Sequence, residues 1–323
     1  MSNYKPPYTI TSTILAQVSE ISELISDIKH IEAKQITPKL RKKNLVRSIT
    51  GSLQIEGNSF SEEKVTAVLD GKRVLGTLKE VEEVKGAIKA YESLENYDYT
   101  KLSDLLQSHK LMMDTLLNNA GNFRSGNVGV YGKDGVSHVA PPPYRVAELM
   151  GELFDWLAAT NEHPLVVSSV FHYEFEFIHP FSDGNGRIGR LWQSVILIAY
   201  KDLFSYIPIE SIVKENQQEY YAALEAAGSS GESTPFVEFM LGSILQSLKQ
   251  FIKQNAESNQ KSSLKSDQKI LTQMKKNSKI TIREICDSTG LSESGVKKII
   301  KKLKDEGTLV RVGALKGGHW EVS

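Results

Sequence analysis

The chain has 323 residues, 40% hydrophobic and 24% charged, with Lys plus Arg and Asp plus Glu equal at 39 each. That length and apolar fraction suit two domains, or one large domain with an appendage, and the balanced charge excludes a global pull toward nucleic acid or an anionic membrane. The single cysteine, Cys286, excludes an intrachain disulfide and a cysteine-rich zinc site; no apolar run approaches the roughly 20 residues of a membrane span, and MSNYKPPYTITSTILAQ shows no signal-peptide pattern, so the cytoplasm is expected.

In chain order, Ile14, Leu15, Val18, Ile21, Leu24, Ile25, Ile28 and Ile31 recur at three- and four-residue steps and predict a helix over 12–34. Further helices are expected near 39–56, at 61–70 behind a capping box at SEEK, and at 79–96 and 101–117. The segment 122–146 breaks the pattern. Val128, Val130 and Val136 alternate, the chain turns at Gly-Lys-Asp-Gly, and three prolines follow, which predicts a β-hairpin with a rigid exit. Helices resume at 145–158, 165–178, 185–200, 211–227 and 235–254. The polar, serine-rich 256–266 reads as a linker. From 267 to 323, helix, Gly-containing turn, second helix and a short β-turn-β predict a winged helix-turn-helix. Twelve Lys and Arg stand there against seven Asp and Glu, so the neutral total conceals a basic C-terminal module.

Between two core-like segments lies HPFSDGNGRIGR, residues 179–190. Gly184, Gly186 and Gly189 allow a tight turn with accessible N–H groups at the start of a helix, where free donors and the helix dipole attract an anion. Arg187 and Arg190 lie one turn apart and can grip more than one phosphate. Asp183 can hold Mg²⁺ between phosphate oxygens. His179 is the group able to accept a proton near neutral pH, with Pro180 and Phe181 fixing the loop. Together these imply transfer of a phosphorus-centred group to a hydroxyl. The same residues also read as a capped helix start with two surface arginines, and His172 with His179 as a sparse metal site.

The stretch resembles the signature of the Fic family, HPFxDGNGRxxR, with every defining position filled. The resemblance implies a mainly α fold: a Fic-type helical core with a β-hairpin flap, plus the winged helix. The implied divisions are an N-terminal helical region (1–110, inhibitory helix about 44–57), a catalytic core (111–255), the linker (256–266) and the winged-helix domain (267–323). The implied activity is transfer of AMP from ATP to a protein Ser, Thr or Tyr hydroxyl, with release of diphosphate. The resemblance makes His179 the base and Asp183 the Mg²⁺ ligand. It assigns the α- and β-phosphates to Asn185 and the Gly184–Gly186 backbone, and the β- and γ-phosphates to Arg187 and Arg190, with Ile188 and Gly189 in the same nucleotide-binding stretch. The intact GNGR separates the chain from the kinase-like Doc branch. The hairpin resembles the Fic flap, which pairs with the target's backbone; Ser137, His138 and Val139 fall where the flap also lies near the nucleotide. ENQQEYYAALEAAG resembles the segment that encloses the adenine, with Tyr220 and Tyr221 as candidates for the base and at least one of them expected from helical spacing to pack in the core, although the Asn often found near Gly228 is missing.

SLQIEGN (52–58) matches the family's inhibitory pattern (S/T)xxxE(G/N). By resemblance, Glu56, with Ser52 and Gly57, pairs with Arg190 and restrains the productive pose of ATP. Other readings are a bifunctional or AMP-removing enzyme, UTP or GTP as donor, and a DNA-binding regulator whose Fic domain senses nucleotide. Lys297, Lys298, Lys301, Lys302 and Lys304 share one helix as a phosphate-contacting or solvated face, so the winged helix is expected to take a DNA or protein partner. A homodimer is a further expectation from resemblance.

Overall fold

The computed structural model describes residues 4–32, 38–132, 135–314 and 317–323; side chains are described except at 29–32, 130–132, 135–138 and 255–265. The chain divides into two compact units, one ending at Gln250 and one beginning at Phe251.

The first unit begins with α1 (Ser12–Glu32), α2 (Pro38–Ile55), α3 (Glu62–Leu69), α4 (Leu78–Glu92) and α5 (Leu102–Met113). The expected capping box at Ser61 is half made. Ser61 accepts from the Lys64 N–H, but Lys64 has no carboxylate to reach back. Complete boxes lie instead at Thr77 with Glu80, and in the second unit at Thr281 with Glu284. The hairpin follows as β1 (Gly129–Gly132) and β2 (Gly135–Val139), antiparallel, with an irregularity at Val130/Tyr131. Its Lys133–Asp134 turn lies outside the described residues. Then come α6 (Pro143–Ala159), α7 (Pro164–Ile178), α8 (Asn185–Tyr200), α9 (Ile209–Glu215) and α10 (Gln217–Ser230). The single helix expected over 211–227 is therefore two, interrupted at Asn216, whose backbone leaves helical geometry (φ −110, ψ 40).

α7 is the centre of this unit. From Leu165 to Phe175 every residue is buried, including Phe171 and Phe175. That explains why an apolar stretch precedes the glycine-rich loop: a helix covered on all sides has no polar face. α8 packs on it, with Gln193 bonded to His172 at 2.7 Å. Gly189 makes the approach possible, because a Cβ there would lie 2.9 Å from the His172 ring. α2 seats on α9 in the same manner, with Gly51 against the Glu210 backbone.

α11 runs Thr234–Lys276, well past the expected end near 254. Residues 256–266, read as a linker, are helical. The stretch holds neither proline nor glycine, and its Ser and Asn cost a helix only tenths of a kcal/mol each. In the second unit, α12 (Ile282–Thr289), α13 (Glu293–Asp305) and the antiparallel pair β3 (Leu309–Val312) and β4 (His319–Val322) form the expected winged helix. Its core gathers Ile270, Met274, Ile285, Val296, Ile300, Leu303 and Trp320. Lys298, Lys301 and Lys304 are exposed, while Lys297 pairs with Glu293 at 2.6 Å and Lys302 with Asp267 at 2.8 Å. No helix among the described residues is long and apolar enough to cross a membrane.

Candidate functional site

The loop 179–184 leaves α7 by a sharp turn. His179 caps α7 in the left-handed region (φ 51, ψ 60), the one non-glycine residue with positive φ among those described. Such a conformation persists only where the surroundings over-determine it. Here the His179 N–H donates to the Phe175 carbonyl at 2.9 Å, and its own carbonyl accepts from Arg124 Nε at 2.7 Å. The imidazole is 22% exposed, with Nδ1 at 3.4 Å from the Glu176 carbonyl and 3.9 Å from its carboxylate. A hydrogen on Nδ1 suits that carbonyl and leaves the Nε2 lone pair available as a base.

The remainder of the loop is braced from within. Asn185 is buried, and its amide both accepts from the Phe181 N–H (2.9 Å) and donates to the Phe181 carbonyl (2.8 Å). This corrects the phosphate-binding expectation for its side chain, which is committed to closing the loop; only its backbone faces the helix terminus. Ile188 is also corrected: its side chain is fully buried and its N–H already donates to the Gly184 carbonyl. Gly184, at φ 87, is the N-cap of α8 and supplies no side-chain cap. The first-turn N–H groups of α8 therefore have no intrahelical acceptors. His109 on α5 supports the loop from outside. It stacks on Phe181 with ring centroids 3.6 Å apart, accepts from the Gly121 N–H at Nδ1 (2.8 Å), and donates from Nε2 to the Asp183 carbonyl (3.0 Å). Burial lowers its pKa to about 4, so the ring is neutral.

Both arginines are drawn in. Arg187 is buried; its Nη2 donates to Asp183 at 2.9 Å and Nη1 stands 3.6 Å from Glu83 on α4. Its Nε and Nη1 have no hydrogen-bond partner. Arg190 is buried as well, donating from Nε to the Ser52 hydroxyl (3.2 Å) and from Nη2 to the Ser52 carbonyl (3.1 Å) and the Glu56 carboxylate (2.6 Å). Burial pulls its pKa down, but Glu56, Tyr220 and Glu176 outweigh that and leave it raised. The Glu56 carboxylate lies directly against Gly186; any Cβ there would collide with its Oε1. A carboxylate thus already sits at the anion-attracting end of α8.

Glu56 is held there by the end of its own helix. Gly57, at φ 89, turns the chain, and Asn58 N–H returns to the Leu53 carbonyl at 3.1 Å, a termination in the left-handed conformation that glycine favours. The last carbonyls of α2 are taken up by α9 and α10. Lys214 donates to Gln54 (3.0 Å), and Gln217 (2.9 Å) and Tyr221 (3.3 Å) donate to Ile55.

The two tyrosines part ways. Tyr220 is 1% exposed, with its hydroxyl 3.2 Å from His172 Nε2, and is the one of the pair that packs in the core. Tyr221 is 48% exposed and remains available. His172 bonds Gln193 and Tyr220 inside the core, which removes it from any metal set. Val139 is exposed at the end of β2; Ser137 and His138 lie on that strand, and their side chains are outside those described. No cluster of three or more metal-ligating side chains occurs among the described residues. Asp183, half exposed, presents a single carboxylate. That fits an ion carried mainly by phosphate oxygens and water, as Mg²⁺ usually is, and not an all-protein cage. Arg124, His109 and Glu83 have no counterpart in the expectations from sequence.

Residues 99–197 match the Fic/DOC family, and residues 264–310 match the winged helix-turn-helix DNA-binding family. A Fic family protein from Desulfovibrio desulfuricans G20 is 38% identical, with a TM-score of 0.75, over 99% of this chain and 98% of that one. Fic-1 from Caenorhabditis elegans shares the fold at 24% identity, TM-score 0.61, over 76% of this chain and 74% of that one. Among curated proteins, the protein adenylyltransferase Fic of Culex quinquefasciatus is 31% identical over 212 residues, 62% of this chain and 40% of that protein. That of Drosophila virilis is 29% identical over 244 residues, 72% of this chain and 47% of that protein. The chain thus spans less than half the length of these curated relatives.

Proposed function

This chain belongs to the Fic family, and from that premise we propose that it is an ATP-dependent protein adenylyltransferase restrained by Glu56. The observation that carries the reading is the Arg187 guanidinium: a buried cation, ion-paired to Asp183 and Glu83, whose Nε and Nη1 make no hydrogen bond, beside the uncapped start of α8. An unpaired buried donor costs about 1–3 kcal/mol, more when charged, so the site favours an anion able to fill several donors at once. A triphosphate does so. The N–H groups of Asn185, Gly186 and Arg187 face the phosphates from the helix terminus, Arg187 takes a bridging position, and Arg190 takes the terminal phosphate once Glu56 leaves it.

His179 stands one loop away with its Nε2 lone pair available. It accepts the proton of a target Ser, Thr or Tyr hydroxyl as that oxygen bonds the α-phosphorus. The bond from the α-phosphorus to the bridging oxygen breaks, and the electron pair departs with diphosphate, held by the two arginines and the helix terminus. Mg²⁺, brought with the triphosphate and held by Asp183, supplies charge neutralisation. Tyr221 stands on the adenine side and the hairpin aligns the target strand.

Incubation with ATP labelled on the α-phosphate, compared with labelled UTP and GTP, tests the reading. Label is expected on protein with ATP and none in His179→Ala; persistent labelling in that variant refutes it. The winged helix is proposed to contact duplex DNA through the lysine face of α13. Binding of the full chain that weakens steeply with salt is expected, and salt-independent or absent binding leaves a protein partner instead.

A further inference from the structure

Arg124 lies between α5 and the hairpin, in a segment without regular structure, yet it is 3% exposed. A guanidinium has five N–H donors in one plane. Here four acceptors meet it, and all are backbone carbonyls: His179 from Nε (2.7 Å), Gly126 from Nη1 (2.9 Å), and Pro141 (2.5 Å) and Ile178 (3.3 Å) from Nη2. Its own N–H donates to the Pro180 carbonyl at 2.9 Å.

The identity of those carbonyls matters. Ile178 is the last residue of α7, and His179 is its left-handed cap. A cation among the final carbonyls of a helix also meets the negative end of its dipole. Gly126 and Pro141 lie just outside the two strands of the hairpin, before Gly129 and after Val139. One rigid, planar group therefore fastens both feet of the hairpin to the two residues that set the direction of the imidazole.

We propose that Arg124 is a positioning residue for transfer, fixing the hairpin and His179 in a single frame so that the acceptor hydroxyl arrives in line with the base. The inference rests on the adenylyltransferase reading above. Lysine cannot replace it, because an ammonium presents three donors from one point and cannot span four carbonyls. The arrangement makes no contact with Arg187 or Arg190, so ATP affinity is not expected to depend on it.

The test uses the full chain in a Glu56→Gly background, with Arg124→Lys and Arg124→Gln. ATP affinity is measured by calorimetry, transfer at saturating ATP in single turnover, and exchange of the β1–β2 amides by hydrogen–deuterium exchange. Expected are ATP affinity within about threefold of the parent, a transfer rate down about a hundredfold, the scale of a 1 Å misplacement of reacting groups, and faster exchange in the hairpin. Lysine is expected not to rescue. Unchanged transfer and unchanged hairpin protection in both variants overturn the proposal. So does parallel loss of ATP affinity, transfer and thermal stability, which marks a general structural role. If the parent itself transfers no label, the activity reading fails, while hairpin exchange still reports whether Arg124 ties the two segments together.

Discussion

On the proposed reading, replacing Glu56 by Gly or Gln removes a carboxylate that would compete with the terminal phosphate for Arg190. The contact is short (2.6 Å) and Arg190 is almost fully buried, though the Glu56 side chain is 31% exposed. A hydrogen bond to a charged partner contributes about 1.5–3 kcal/mol net, which ATP must displace before Arg190 can turn to it. At about 1.4 kcal/mol per decade, removal is expected to raise transfer, or apparent ATP affinity, by roughly 10- to 150-fold. The same change leaves a buried guanidinium without its carboxylate partner, still bonded to Ser52. The ligand-free variant should therefore melt earlier, and ATP or diphosphate should restore more stability to it than to the wild type. The assay pairs automodification with labelled ATP and thermal melts with and without nucleotide. No rise in labelling, in a folded variant whose added His179→Ala substitution abolishes any label seen, refutes the reasoning. A melt that diphosphate raises equally in both proteins also counts against it.

Arg187→Gln removes an under-bonded buried cation. ATP affinity is expected to fall at least about tenfold, and the apo melting temperature to fall because Glu83 loses its cation; unchanged ATP affinity in the folded variant sinks the phosphate role. Gln217→Ala removes one of the two donors to the Ile55 carbonyl and is expected to raise basal labelling about two- to tenfold, the range of one neutral hydrogen bond, whereas unaltered labelling separates α10 from the proposed restraint by Glu56. The pH dependence of stability contains two opposed groups. His109 has its folded pKa depressed from 6.5 to about 4, so the folded state loses stability as pH falls through that window. Burial holds Glu174 up at about 7, against an ordinary 4.5, despite a bond from Tyr4, so its stability is lost as pH rises between those values. Each amounts to about 2 kcal/mol between pH 5 and 7. Glu174→Gln is therefore expected to turn a nearly level curve into one that rises by about 2 kcal/mol across that interval in urea melts, and a flat curve in the variant contradicts the assignment.

What was legible in the sequence is what is local. The turn from His179 to Arg190 places its residues by neighbouring chemistry: glycines bend, the helix begins, and two arginines fall one turn apart. The pairing of Arg190 with Glu56 could be expected only because a known pattern links positions 134 apart. Arg124 and Glu83 left no local sign, since each acts on chain far away in sequence. His109 had a faint one: it shares a face with Leu105 and Met112, an imidazole on an otherwise apolar stripe. That one of Tyr220 and Tyr221 would be core was legible from helical spacing, but the two are identical in kind, and only packing decides which points inward. The long α11 was hidden by composition. Serine and asparagine discourage helix without forbidding it, and the breakers that would have ended it are absent.

The seating of α2 limits what release of Glu56 can involve. Val46, Ile49, Leu53 and Ile55 are all buried, and each large apolar side chain of this kind contributes about 1.5–3 kcal/mol. Lifting the whole helix away would cost on the order of the stability of a domain. Glu56, by contrast, sits at the last turn beside a glycine hinge with part of its surface in water. A swing of one carboxylate clears the ground above Gly186 and leaves the framework standing, so whatever message opens this site can be as small as a rotamer.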